Sequence, residues 1–301
     1  MAKKKKGRRG KRARRSAGLH MPLWLQSENT IEIKQKRKVP CELSKEAKRI
    51  LEQTLFYLNM NDYKRAMECC DRVIRMHPDK TDGYYNRSGV KIETGDFQGA
   101  IADCDEAIRI EPFSWSGIYI NKGLAKDNLG DPEGALREYN KAIGLDPDIG
   151  RFYIQRAGIK IELEDLDGAF ADCEKAVELA PKSVGGYFGM GHIKYLREDF
   201  EDAIKDFDKA IRIAPDEPET YHCRSICKSE CGDLKEGLAD IQKAIRRNPE
   251  NAQYYITRGG IKQQMEDFRG AIADWETAIT LDPTEESDLR ELINEIKDKL
   301  S

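Results

Sequence analysis

No stretch of the sequence approaches the ~20 consecutive apolar residues that a membrane-spanning helix needs. The first fifteen residues are too highly charged for a secretory signal, and the apolar patch from Leu19 to Leu25 is interrupted by His20 and Pro22. These absences favour an intracellular protein, cytoplasmic or, in a eukaryote, also nuclear. The eight cysteines are therefore interpreted as thiols rather than as a disulfide framework.

The sequence also lacks the motifs of common catalytic and cofactor sites. No Gly-x-x-x-x-Gly-Lys-Ser/Thr phosphate-binding loop is present, and no pair of carboxylates stands out from those on solvated helix faces. We therefore expect no enzymatic activity and no cofactor.

Charge is divided unevenly along the chain. Residues 1–46 carry fifteen Lys/Arg and four acids, a net charge of +11, whereas residues 47–301 have a net charge of −14. We predict that residues 1–18 form a disordered basic tail and that residues 19–46 are a linker whose structure the sequence leaves open. Ten basic residues crowd the tail: Lys3, Lys4, Lys5, Lys6, Arg8, Arg9, Lys11, Arg12, Arg14 and Arg15. Three roles are open for it: a nuclear-import signal, a phosphate-binding arm for RNA or DNA, or a segment that lies against the acidic body.

The rest of the sequence repeats itself with a period of 34 residues. Seven prolines mark the period: Pro78, Pro112, Pro147, Pro181, Pro215, Pro249 and Pro283. Such a period predicts stacked helical hairpins. With each proline at position 32, the repeats span residues 47–80, 81–115, 116–149, 150–183, 184–217, 218–251 and 252–285. Residues 286–301, with apolar residues at helical spacing, are predicted to form a capping helix.

Each repeat has small residues at positions 8 and 20 and an aspartate at position 16. Small residues let two helices approach closely, and an aspartate at a helix start accepts hydrogen bonds from free backbone N–H groups. We therefore predict two helices per repeat, a turn near position 15, and an aspartate cap on the second helix. The aspartates are Asp62, Asp96, Asp131, Asp165, Asp199, Asp233 and Asp267.

This pattern resembles the tetratricopeptide repeat family. The small residues at positions 8 and 20, alanine at position 27 in six repeats and proline at position 32 match the family skeleton, and the stretch from Tyr84 to Phe97 is similar to a typical member. The resemblance covers residues 47–285 and implies an all-α, right-handed α-solenoid of seven helix-turn-helix repeats with a concave groove. It also implies a non-enzymatic adaptor or scaffold that binds a protein or peptide segment.

The resemblance further implies which side chains line the groove, through positions 5, 9 and 12 of the repeats. The candidate partner-binding residues are Tyr85, Ile120, Ile154, Phe188, His192, Tyr195, His222 and Ile256. Glutamates at position 13 add an acidic edge, so we expect a peptide with apolar anchors and some basic residues. The carboxylate clamp that some members use for heat-shock chaperone tails is not matched, because no repeat has Lys at position 5 or Asn at position 9.

A charged pattern runs through five repeats, with a base at position 7 and an acid at position 23. Six repeats have a lysine at position 11, one helical turn further on. Positions 7 and 23 both lie eight residues from the turn, so they sit at similar height in an antiparallel helix pair. We interpret the pattern as an internal ion-pair ladder; the alternative is a basic stripe that binds a ligand.

Two further functional hypotheses stand beside protein binding. The second is nucleic-acid binding through the basic tail, and no membrane partner is expected. The third is a metal or redox sensor at Cys223, Cys227 and Cys231, which fall on one side of a single helix. One straight helix spreads these three thiols over about two turns, which suits one metal ion poorly, so we expect no metal.

Overall fold

The structure is a computed structural model that describes residues 43–112 and 115–300, with side chains through residue 298. Residues 1–42, which include the basic tail and most of the predicted linker, lie outside this part. Fifteen α-helices occur in the described residues: α1 Lys45–Asn59, α2 Tyr63–Met76, α3 Thr81–Glu93, α4 Phe97–Ile110, α5 Ser116–Asn128, α6 Pro132–Leu145, α7 Gly150–Glu162, α8 Leu166–Leu179, α9 Val184–Leu196, α10 Phe200–Ile213, α11 Pro218–Glu230, α12 Leu234–Arg247, α13 Ala252–Gln264, α14 Phe268–Leu281 and α15 Glu286–Leu300.

The helices pair in sequence order, α1 with α2 through α13 with α14, and each pair is one helical hairpin. The described residues contain no strand, so the prediction of an all-α chain of seven helix-turn-helix repeats is confirmed. None of their helices combines the length and the apolar character needed to cross a membrane. The chain divides into two compact bodies: the N-terminal body ends at Pro181 and holds four hairpins, and the C-terminal body begins at Lys182 and holds three hairpins and α15.

Every hairpin turn places its position-15 residue in the left-handed backbone region, which confirms the predicted turn. The φ angles lie between 55° and 89° at Asn61, Gly95, Gly130, Glu164, Glu198, Gly232 and Glu266. Glycine adopts this conformation without a steric penalty, whereas other residues pay ~1–2 kcal/mol for it. The three glutamates are therefore strained positions that a glycine would relieve.

Whether the aspartate caps its helix depends on which residue stands three places further along the chain. In four repeats that residue is glycine, and its N–H donates to the aspartate at 2.8–2.9 Å, as Gly99 does to Asp96 and Gly134 to Asp131. A Cβ added at these glycines would come within 1.8–2.2 Å of the aspartate Oδ2. With the aspartate in its capping position, a larger residue would therefore fit only if the carboxylate moved. Asp62 also caps its helix, accepting from the Arg65 N–H at 3.1 Å.

The prediction of seven aspartate caps is wrong in two repeats. Asp199 and Asp233 make no side-chain cap hydrogen bond. The residues three places on are Asp202 and Glu236, which have a side chain where glycine has none and a carboxylate that repels the aspartate. The capping contact is thus made where the residue three places on is glycine or arginine and is lost where that residue is acidic.

The two helices of each hairpin are matched in size at positions 8 and 24. A Cβ added at Gly123 would meet the Tyr139 ring at 2.4 Å. In the same way, Gly259 leaves space for the Trp275 ring and Gly191 for the Phe207 ring. Where position 8 is larger, position 24 is a cysteine or isoleucine: the pairs are Thr54 with Cys70, Ser88 with Cys104, Ala157 with Cys173 and Ser225 with Ile241. All seven residues at position 24 are buried, and the seven described cysteines are free thiols.

The last helix closes the C-terminal body, as predicted. Helix α15 buries Leu289, Ile293 and Ile296 against Trp275 and Ala278 of α14. This apolar face covers the outer side of the seventh hairpin.

Candidate partner-binding surface

The bases at positions 7 and 11 are held by the acid at position 23 of the same hairpin. Arg224 binds Asp240 through two hydrogen bonds of 2.8 Å, and Lys228 reaches the same carboxylate at 2.9 Å. The arrangement recurs in three other repeats, with Arg87 and Lys91 on Asp103, Arg156 and Lys160 on Asp172, and Arg258 and Lys262 on Asp274. In the third repeat Lys126 binds Glu138 at 2.7 Å and Lys122 lies 3.8 Å from it.

The internal ion-pair ladder is therefore confirmed. The position-23 carboxylates are 2–6% exposed and the bases 12–23% exposed, so these charges face one another inside the hairpins. The fifth repeat, with Met190 at position 7, keeps Asp206 paired through Lys194 at 2.6 Å and Lys209 at 3.0 Å. The alternative, a basic stripe free to bind a ligand, does not fit side chains that are engaged in this way.

The ladder also joins one hairpin to the preceding one, which the sequence reasoning missed. Arg87 reaches Asp71 at 2.7 Å and Arg224 reaches Asp208 at 2.5 Å. In the third and fourth repeats the partners are Asp105 and Asn140. Each of these partners stands at position 25 of the preceding repeat. The recurrence of an acid or amide at that position could have predicted the contact between hairpins.

Two opposing effects set the ionisation of the ladder. Burial by itself raises the pKa of the Asp240 carboxyl, but hydrogen bonds from Arg224 and Lys228 outweigh it, and the pKa lies below its ordinary value. The pKa of Glu138 is lowered in the same way by Lys126 and Lys141. Both carboxylates are thus ionised at neutral pH and depend on their bases.

In the N-terminal body, the predicted groove residues are part of the packing between helices. The Tyr85 ring lies 3.9 Å from the Trp115 ring, centroid to centroid. Ile120 and Ile154 are buried. Their role in partner binding stays a prediction.

In the C-terminal body, four of the five predicted groove residues are buried. Phe188 is 1% exposed and packs on Phe207 at a ring distance of 5.6 Å, and His192 and Tyr195 stack at 6.3 Å. His222 is 2% exposed, whereas Ile256 is only half-buried. Changing these buried side chains would disturb packing as well as any partner contact.

An acidic cavity lies next to these residues, at the hairpin turns of the fifth and sixth repeats. Its volume is about 380 Å³. Five acids and no base line it: Glu198, Asp199, Glu201, Asp202 and Glu230, together with Phe200 and Cys231. Phe200 connects it to the groove, because its ring lies 6.0 Å from that of Tyr195. Glu230 belongs to the acidic edge that the sequence predicted. The sequence reasoning did not identify the four acids from Glu198 to Asp202 as part of a binding surface.

The three thiols of the third hypothesis are not brought together. Cys223 and Cys227 are buried, whereas Cys231 is exposed at the end of α11 and lines the acidic cavity. Cys223 instead lies beside Glu219 and His222, and one potential metal-ligating atom from each lies within 4.8 Å of the other two. The Glu-x-x-His-Cys spacing was readable in the sequence but was overlooked beside the regular cysteine spacing.

Solved structures with the same arrangement of helical hairpins are tetratricopeptide repeat proteins and their assemblies. A tetratricopeptide repeat protein from Parabacteroides merdae superposes with a TM-score of 0.63 at 21% identity, over 84% of this chain and 100% of that chain. A chain of the APC/C hetero-tetramer Cut9–Hcn1 gives a TM-score of 0.69 at 12% identity, over 83% and 52%. Pseudomonas aeruginosa pilF gives 0.63 at 17% identity, over 71% and 97%. These likenesses show the fold alone. No curated protein matches the sequence.

Sequence profiles of the family agree with the fold. Two tetratricopeptide repeat profiles match this chain, one over residues 57–114 and the other over 116–149, 150–183 and 184–217. Tetratricopeptide repeat proteins generally mediate protein–protein interactions and scaffolding, and their fold is typically non-enzymatic. On its repeat pattern, its helical hairpins and these matches, the chain belongs to the tetratricopeptide repeat family.

Proposed function

We propose that this chain is a non-enzymatic adaptor that binds a basic segment of a partner protein at the acidic cavity of its C-terminal body. The observation that carries the proposal is the lining itself, which holds five acids and no basic residue. The internal ladder engages Arg224 and Lys228 within the hairpin, whereas the exposed Lys205 pairs with Asp202 at 2.7 Å and leaves the other lining acids to a partner. A lysine- or arginine-rich peptide is the complementary ligand.

The cavity offers apolar contact as well as charge. Phe200 forms part of its lining and is in ring contact with Tyr195, one of the predicted groove residues. An aliphatic or aromatic anchor of the partner would pack on Phe200, while neighbouring basic side chains meet Glu201 and Glu230. A few such anchors carry most of the energy in peptide recognition.

A comparison of captured proteins tests this proposal. The wild-type chain and a Glu201→Lys, Glu230→Lys variant are used as baits in native lysate, and bound proteins are quantified by mass spectrometry. The matched control is Glu276→Lys, Glu291→Lys, which reverses two exposed acids of the same body outside the cavity. We expect proteins with basic segments to be lost from the cavity variant and retained by the control. Equal capture by all three baits would place the binding site elsewhere.

The basic tail supports a second proposed role, sequence-independent binding of RNA or DNA. Ten positive charges in the first fifteen residues, with no acid among them, are an electrostatic match to a phosphate backbone. In this role the tail acts independently of the acidic cavity, and its deletion removes nucleic-acid binding without affecting partner capture.

A further inference from the structure

Three potential metal ligands meet on one face of α11. Glu219, His222 and Cys223 stand at i, i+3 and i+4, a spacing that places side chains on the same helix face. The distance from His222 Nδ1 to Glu219 Oε1 is 3.0 Å, and that from Cys223 Sγ to the same oxygen is 4.0 Å. In residues 43–112 and 115–298, no other trio of His, Cys, Asp or Glu side chains comes this close together.

The outer atoms of two of these side chains are already held in place. His222 Nε2 lies 3.0 Å from Thr257 Oγ1, and the Tyr254 hydroxyl donates to Glu219 Oε2 at 2.9 Å. When Nε2 carries the proton and donates it to Thr257, the lone pair of Nδ1 is directed at the cluster. Metal-bound histidines and carboxylates commonly have outer partners of this kind, which fix their orientation.

A buried histidine without a hydrogen-bond partner stands in the preceding repeat, outside the trio itself. His192 is 2% exposed, and neither of its ring nitrogens has a hydrogen-bond partner within the described residues. It stands on α9, which packs against α11. Buried imidazoles are rarely left without a partner, and an ion is one explanation.

The geometry points to a structural site for a divalent metal ion of the zinc class, bound by Glu219 Oε1, His222 Nδ1 and Cys223 Sγ, which His192 completes as fourth ligand by moving in from α9. One thiolate and one carboxylate neutralise the two charges of the ion, so the buried site carries no net charge. Mixed sulfur, nitrogen and oxygen ligands in fourfold coordination suit zinc. Binding displaces the proton of the Cys223 thiol into solvent as the sulfur–metal bond forms.

Such a site would tie neighbouring hairpins together. Its ligands come from α9 and α11, and Thr257 and Tyr254 on α13 hold two of those ligands in orientation. A metal ion would therefore stabilise the C-terminal body, because it binds the folded chain and not the unfolded one.

The test uses the untagged full chain, stripped with a chelator and kept reduced with a phosphine. Zinc is titrated against a chromophoric chelator, and cobalt is used as a spectroscopic substitute. We expect one zinc ion per chain, a rise in the unfolding temperature, and a cobalt–thiolate charge-transfer band. The sequence has only four histidines, so unspecific chelation is low.

Four variants locate the site. Cys223→Ser removes the charge-transfer band, whereas Cys227→Ser and Cys231→Ser, on the same helix, retain it and the wild-type affinity. Thr257→Val removes only the hydrogen-bond partner of His222 Nε2, and we expect it to weaken zinc binding by about 10- to 100-fold. Circular dichroism verifies folding, and if Cys223→Ser does not fold, Thr257→Val decides. Absence of stoichiometric zinc binding overturns the proposal, as does unchanged binding in Thr257→Val.

Discussion

Replacing Asp240 by leucine is expected to destabilise the C-terminal body more than replacing its basic partner Arg224. The Asp240 carboxylate is 2% exposed and is shared by Arg224 and Lys228. The Lys243 Nζ lies 3.4 Å from the same carboxylate. Without Asp240, Arg224 and Lys228, 12% and 14% exposed, lose their buried acid and keep only the more exposed Asp208 and Glu236. Leaving a buried charge without its partner costs about 3–5 kcal/mol.

Arg224→Met should cost less, because the fifth repeat already shows how the hairpin accommodates it. There Met190 stands at position 7, and Asp206 is held by the lysines at positions 11 and 26. In the sixth repeat Lys228 and Lys243 occupy these positions. The loss is therefore that of charged hydrogen bonds, about 1.5–3 kcal/mol, part of which methionine restores by apolar contact.

The triple variant Arg224→Met, Lys228→Met, Asp240→Leu removes the three buried charges and leaves the more exposed Asp208 and Lys243, so it should lie within about 1 kcal/mol of wild type or above it. Urea unfolding followed by circular dichroism measures these differences. The control is Arg109→Met, whose ion pair with Glu106 is exposed and should contribute far less to stability than the buried group. If Asp240→Leu unfolds no earlier than the triple variant or Arg109→Met, the ladder is not a buried, interdependent charge group.

The same group gives the wild-type chain a pH dependence of known sign. The pKa of Asp240 is lower in the folded chain than in the unfolded one, so its stabilising effect is present above the unfolded value of ~3.9 and is lost as the pH falls through the folded value. Between neutral pH and pH ~3, the triple variant should therefore lose less stability than wild type. An equal loss in both would mean that Asp240 does not contribute to acid unfolding.

Four further predictions follow from the fold and the tail. Asp96→Ala should cost about 1 kcal/mol and Asp199→Ala only a few tenths, because only Asp96 caps its helix; equal shifts in thermal unfolding would refute this. Glu164→Gly should stabilise the chain by about 1 kcal/mol and Gly95→Glu should destabilise it, because both residues have positive φ; a loss of stability in Glu164→Gly would contradict the strain argument. Gly123→Ala should cost about 1–3 kcal/mol, and the added change Tyr139→Cys, which recreates the pairing of Ala157 with Cys173, should cost less than the sum of the single changes; strict additivity in urea unfolding would rule out the coupling. The full chain should bind RNA and DNA weakly at low salt and lose this binding at physiological salt, whereas residues 39–301 should not bind; equal retention by the truncated chain in a filter assay would reject the tail as the arm.

The repeat made most of the hairpin architecture predictable. A 34-residue period recurring seven times in phase reports which residues face each other inside a hairpin, so the pairing of Arg224 with Asp240 could be read from position alone. Local signals sufficed there because the partners lie in two helices joined by a short turn of fixed length.

Contacts between successive hairpins were harder to read. The bond from Arg224 to Asp208 depends on how two hairpins stack, which position numbers within one repeat do not encode. The missing caps at Asp199 and Asp233 had a local cause, a carboxylate in place of glycine three residues on, but the strength of the aspartate pattern concealed it.

The candidate sites were the least predictable part. Family positions pointed to Phe188 and His222 as groove residues, yet their exposure depends on the packing of neighbouring helices, and both are buried. The acidic cavity is formed by residues of two different turns, from Glu198 to Asp202 and at Glu230, whose approach only the folded chain reveals.

The central claim, that the acidic cavity binds basic segments of partner proteins, is tested most directly with a fluorescent lysine- and arginine-rich peptide that carries leucine and phenylalanine anchors. Its fluorescence anisotropy is measured with wild type, with Glu201→Lys, Glu230→Lys and with the Glu276→Lys, Glu291→Lys control. We predict that wild type and control bind alike, that the cavity variant binds at least about tenfold more weakly, and that salt weakens the wild-type complex. Equal binding by the cavity variant, or equal binding of a glutamate-rich peptide with the same anchors, would contradict the claim.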